Sequence, residues 1–130
     1  MSESVFEGLV QRKASVAFCD MPALKYLPNM PVVSIHSLRE HSTTVCSPFI
    51  GNIAYIRLHG RNAAAWYSAD PQANGSARYD YDYSEEELSK FVPIIHVASE
   101  EGRKVQVYFN NHPKGSGAKN AGQLKKMINS

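Results

Sequence analysis

The chain has 130 residues, 43% of them apolar and 20% charged, and a net charge of +2. That is enough apolar material for one domain with a real core, and it excludes a wholly disordered chain. The small net charge and the lack of a long Lys/Arg run leave no electrostatic footprint that by itself points to nucleic acid.

The longest apolar stretch, Phe91 to Ala98, is interrupted by Pro93 and His96 and falls far short of the ~20 residues of a membrane span. Met1-Ser2-Glu3-Ser4 has neither the basic start nor the apolar run of a signal peptide. Cys19 and Cys46 lack metal-ligand spacing. Cys19 reads as a buried small hydrophobe, and a reducing cytoplasm is the expected compartment.

Residues 4–12 read as a short helix with Val5, Phe6, Leu9 and Val10 on one side. Ser15 to Cys19 reads as a strand, ended by Asp20 and Pro22. Residues 21–52 carry Pro22, Pro28, Pro31 and a Ser/Thr/His-rich run, which predicts a long irregular connection with room for a short strand at Val32 to Ile35. Ile53 to Leu58 is a clearer strand, apolar on both faces apart from Arg57, as suits a parallel strand covered by helices.

Arg61 to Tyr83 reads as a second long loop, with turn signals at Asp70-Pro71 and Asn74-Gly75 and an alternating, extended end at Arg78 to Tyr83. Ser84-Glu85-Glu86-Glu87 is a capping box that opens a helix. Leu88, Phe91, Val92, Ile95 and Ala98 continue it at helical spacing. Pro93 predicts a kink and Gly102 the end. Lys104 to Phe109 is the next strand. A last helix follows over Gly117 to Ile128, with Ala118, Ala121, Leu124 and Ile128 facing inward. Strands separated by helices imply βα units and a parallel sheet, within a single domain over 1–130.

Side chains alternate along a strand, so Arg57 and His59 share a face, and so do Tyr108, Asn110 and His112. In parallel α/β folds chemistry collects at strand C-termini. Asp20, Arg57, His59, Asn110 and His112 are therefore expected along one rim. Arg57 or Arg61 can grip a carboxylate or phosphate through paired hydrogen bonds. His59 or His112 can serve as general acid or base, with Asp20 beside them.

Such residues also cap strands and satisfy loop backbone, and Asp20 is a natural ion-pair partner for Arg57. Asn110 to Gly117, with Asn111 and Lys114, reads either as an anion cradle or as a plain loop in which Ser116 caps the helix. Trp66 and Tyr67, Tyr79, Tyr81 and Tyr83 flank the second loop, where packing is favoured over stacking on a ligand. His36, His41 and His96 read as surface or loop histidines. No metal-binding motif is present, and no residue pattern specifies a cofactor.

Arg57-Leu58-His59-Gly60-Arg61, Trp66, Arg78-Tyr79-Asp80-Tyr81, Tyr83-Ser84-Glu85-Glu86-Glu87-Leu88, Val107-Tyr108-Phe109-Asn110-Asn111-His112 and Ala118 with Asn120-Ala121 and Leu124 together resemble the YecE-like proteins, the family of domain of unknown function 72. The resemblance is good from about residue 53 and extends back to Val16 to Asp20. It implies a TIM-barrel-like (β/α)8 fold, of which this chain would be the C-terminal portion, the last three or four βα units, with a site at the C-terminal mouth. It implies no reaction. A full barrel takes about 250 residues, so open sheet edges and association with a complementary half-barrel or a second copy are expected.

The expected ligand is small and anionic or polyhydroxylated. The alternatives are a non-catalytic nucleic-acid-binding module and an inactive truncated fragment.

Overall fold

A computed structural model of the chain describes residues 3–12, 14–15, 17–22, 49, 51–68 and 75–130. The 21–52 connection, with Val32 to Ile35 and Cys46, lies almost wholly outside the described residues. Helix α1 spans Glu3–Gln11 and strand β1 Ala17–Asp20. Strand β2 spans Ile53–Leu58, and the short helix α2 spans Ala63–Tyr67. A 3-10 turn covers Gly75–Tyr79. Helices α3 (Glu85–Ser89) and α4 (Val92–Glu100) precede β3 (Lys104–Phe109). A second 3-10 turn, Pro113–Gly115, runs into α5 (Ser116–Ile128).

The strands form a parallel sheet in the order β1-β2-β3. Cys19, Arg57 and Tyr108 lie level, as do Asp20, Leu58 and Phe109. The ladder continues past the strand ends, where His59 N–H donates to the Asp20 carbonyl (2.9 Å) and Asn110 N–H to that of Leu58 (2.7 Å). All three C-termini therefore share one edge. Among the described residues nothing pairs with the outer edge of β3.

Alternation divides the sheet. Ala54, Ile56 and Leu58 are fully buried among Leu88, Phe91, Ile95, Ala98 and Leu124 of the helices. Tyr55 and Arg57 turn to the opposite face, which no helix among the described residues covers, and there Tyr55 stacks on Tyr108 at 5.0 Å between ring centroids. Val105, Val107 and Phe109 pack against the core from the helix side.

Three sequence expectations need correction. The Arg61 to Tyr83 segment is not continuous loop: it holds α2 and a 3-10 turn, each of five residues and too short to show periodicity. The helix after Ser84 is two helices rather than one with a kink. The first breaks at Lys90 and Phe91, and Pro93 then sits in the opening turn of α4, where its missing N–H has no intrahelical role. In α5 the buried positions are Gly117, Asn120 and Leu124, while Ala118 and Ala121 are exposed. The helix is rotated because Gly117 lies tight on Asn111 and Phe109: a Cβ there would sit 3.3 Å from the Asn111 carbonyl oxygen.

The capping box is present in full, with Glu87 N–H donating to Ser84 Oγ and Ser84 N–H to Glu87 Oε2. Gly102 (φ +74°) closes α4 by a Schellman pair, Arg103 N–H to Ala98 O and Gly102 N–H to Ser99 O.

Candidate functional site

The strand-end residues separate into two layers. On the helix side Asp20 is nearly buried and accepts from three directions. Arg61 grips it with Nε on Oδ2 (2.9 Å) and Nη2 on Oδ1 (2.8 Å), and the Tyr83 hydroxyl donates to Oδ2 (2.7 Å). Tyr83 in turn accepts from Gly60 N–H (2.8 Å). Arg61 Nη1 and the Tyr81 hydroxyl both reach Glu87 Oε1 (3.1 and 2.6 Å), which joins this network to the capping box.

Gly60 adopts φ +91°, and a Cβ on it would come within 2.6 Å of Tyr81 Cβ, so only glycine fits the turn. Burial first, then the Asp20 charge, push the Tyr83 phenol far up and keep it a donor. Burial and the bond to Glu87 push Tyr81 up to about 12. For Glu87, burial acts upward but is outweighed by the hydrogen bonds from Tyr81 and Ser84 and by Arg61, which leaves its carboxyl below the usual range.

Arg57 therefore does not pair with Asp20. It lies on the face opposite the helices, and its Nε donates to the Asn110 side-chain oxygen (3.2 Å). No carboxylate among the described residues reaches it. His59, next on the same side, packs against Tyr79 (5.9 Å) and Trp66 (6.4 Å), and Tyr79 continues to His112 (5.8 Å). These rings touch one another and form a wall beside Arg57. Trp66 Nε1–H donates to the Arg78 carbonyl (3.1 Å).

His112 Nδ1 lies 2.8 Å from the Asn110 carbonyl. A carbonyl can only accept, so Nδ1 is the donor in this contact and Nε2 points away from it. His59 Nδ1 is buried with no partner among the described residues. Burial, then the Arg57 charge, lower the His59 pKa against a smaller upward pull from Asp20.

The remaining candidates are engaged by the fold. Asn111 is fully buried, donating to Tyr81 O (2.9 Å) and Asn120 Oδ1 (2.8 Å). Lys114 adopts φ 57° and pairs with Asp80 (2.7 Å). Gly115, not Ser116, occupies the N-cap position of α5 and makes no side-chain cap. Sequence reasoning quoted Asn120 only within the family resemblance and gave it no place in the core, because hydrophobic periodicity does not register polar core positions. It also missed Tyr83 as the link between Asp20 and Gly60, although its place in an alternating segment marks it as inward-facing.

The His59 shift has a consequence for stability. The folded chain binds the His59 proton less readily than the unfolded chain, so this contribution is complete above about pH 6.5 and is lost as pH falls through the lowered folded value. Glu87, also lowered, adds a further loss below its usual range. The melting temperature should fall as pH drops below about 6.5, and His59→Gln should flatten that part of the profile. An unchanged profile in the variant would show that His59 does not carry it.

A parallel sheet flanked by helices, with polar residues gathered at the strand C-termini, defines a partial TIM-barrel-like α/β protein. The chain belongs to the family described as protein of unknown function DUF72, whose model matches residues 1–130. The crystal structure of a DUF72 family protein from Thermotoga maritima is 30% identical with a TM-score of 0.76, and the match covers 99% of this chain and 42% of that one. A DUF72 family protein from Enterococcus faecalis is 25% identical with a TM-score of 0.75, covering 98% and 42%.

UPF0759 protein YunF of Bacillus subtilis is 31% identical over 78 residues, 59% of this chain and 28% of YunF. The chain thus spans less than half the length of these relatives. Among the described residues no helix is long and apolar enough to cross a membrane.

Proposed function

We propose that the common strand-end edge is a ligand-binding mouth for a small anionic or polyhydroxylated molecule, with Arg57 as its anchor. One observation carries this reading. Among the described residues Arg57 lies half-buried with only a neutral amide as partner, whereas Arg61, one loop further on, is clamped by two carboxylates. A guanidinium that the fold leaves uncompensated is a site for an outside anion.

Asn110 fixes the Arg57 orientation, and the Trp66, Tyr79 and His59 rings, with Trp66 edge-on to the other two, supply apolar surface for the body of the ligand. His112 Nε2 and His59 are the groups able to take or give a proton. Asp20, Arg61 and Asn111 hold the mouth in shape.

The test is a thermal-shift screen of small acids, sugar phosphates and sugars, followed by calorimetry on Arg57→Ala. Affinity for any hit should fall at least about tenfold, with the melting temperature of the free protein unchanged. Unaltered binding in the variant would overturn the reading, and so would loss of fold.

A further inference from the structure

Resting on that reading, we propose that the ligand presents a single carboxylate-type charge at Arg57 rather than a dianionic phosphate or sulfate group. The local charge count supports this. Among the described residues Arg61 is already paired with Asp20 and Glu87 and Lys114 with Asp80, while Arg78 keeps its charge over the Trp66 ring at 6.0 Å. The protonated form of His59 is disfavoured by burial and by Arg57, against a smaller pull from Asp20. A dianion seated at Arg57 would keep one negative charge partly desolvated against the aromatic rings, with only the Trp66-stacked Arg78, among the described residues near the mouth, to meet it.

The geometry of Arg57 is compatible with this, although paired N–H bonds alone do not separate a carboxylate from a phosphate. Its Nε is taken by Asn110. Among the described residues no partner is shown for the two terminal NH2 groups, whose paired N–H bonds match the two oxygens of a planar carboxylate. The edge-to-face pair of Trp66 and Tyr79 then offers apolar surface to an uncharged body attached to that carboxylate.

Nitrogen-detected NMR on the full chain tests this, following Arg57 Nε–H and the Trp66 indole N–H, since Trp66 is the chain's one tryptophan. Sodium acetate and sodium sulfate are titrated separately at constant ionic strength and about pH 8, where histidines are ordinarily neutral. Acetate should shift Arg57 Nε–H saturably, with sulfate weaker by about tenfold or more. In Arg57→Gln the acetate-dependent shift of the Trp66 signal should vanish.

Sulfate binding as tightly as acetate at Arg57 would overturn the single-charge inference and leave the anchor reading standing. Silence of Arg57 toward both anions, or an acetate response that survives in Arg57→Gln, would overturn both.

Discussion

Asn120→Ala is expected to destabilise the chain by about 3 kcal/mol, or about 10 °C in melting temperature for a protein of this size. Asn120 is fully buried. Its Oδ1 accepts from Tyr83 N–H (3.1 Å) and from Asn111 Nδ2 (2.8 Å), and its Nδ2 donates to the Tyr83 carbonyl (3.0 Å). Truncation orphans both backbone groups of Tyr83 and one donor of Asn111 where water cannot replace them, and each such loss is worth about 1–3 kcal/mol.

Because Asn111 and Asn120 touch, the double variant Asn111→Ala/Asn120→Ala should cost clearly less than the sum of the two single changes. Urea unfolding measures both. A single-variant loss below about 1 kcal/mol would show that the segment from Tyr81 to Tyr83 is not held by this amide.

Asp20→Ala is the second large effect, also about 3 kcal/mol, at the lower end of the range for breaking a buried pair because Arg61 keeps contact with water and with Glu87. The Asp20 side chain is 11% exposed and that of Arg61 33%. The change removes the bidentate partner of Arg61 and the acceptor for the Tyr83 hydroxyl, and through Tyr83 it loosens Gly60. Asp20→Asn keeps the shape and one acceptor, so it should lose about half as much. Equal losses for Ala and Asn would assign the effect to the charge alone. No loss for either would mean that the network does not hold the turn from His59 to Arg61.

Much of the fold was legible where local chemistry is strong. The capping box at Ser84, the glycine stop at Gly102 and the apolar runs of β2 and β3 each follow from a single short-range rule, and the structure obeys them. The parallel arrangement followed from the alternation of strands and helices.

Short elements were not legible. Ala63–Tyr67 has one visible sign, Asn62, whose side chain accepts from Ala65 N–H at its start. Pairing across the chain was not legible either. Sequence alternation put Arg57 and His59 on one face, but it could not show that Asp20, level with Leu58, turns to the helix side and meets Arg61 instead. The α5 face was misread because its inward positions are a glycine, an asparagine and a leucine, of which only the leucine counts as apolar.

Arg57 and Arg61 have opposite assigned roles: among the described residues one meets no carboxylate, and the other is built into the fold by two. Thermal melting of Arg57→Gln and Arg61→Gln side by side tests this most directly. The account predicts a drop of about 5–10 °C for Arg61→Gln and a change within about 2 °C for Arg57→Gln. Equal drops, or a larger one for Arg57→Gln, would show that Arg57 is part of the fold and contradict its assignment as the anchor of the mouth.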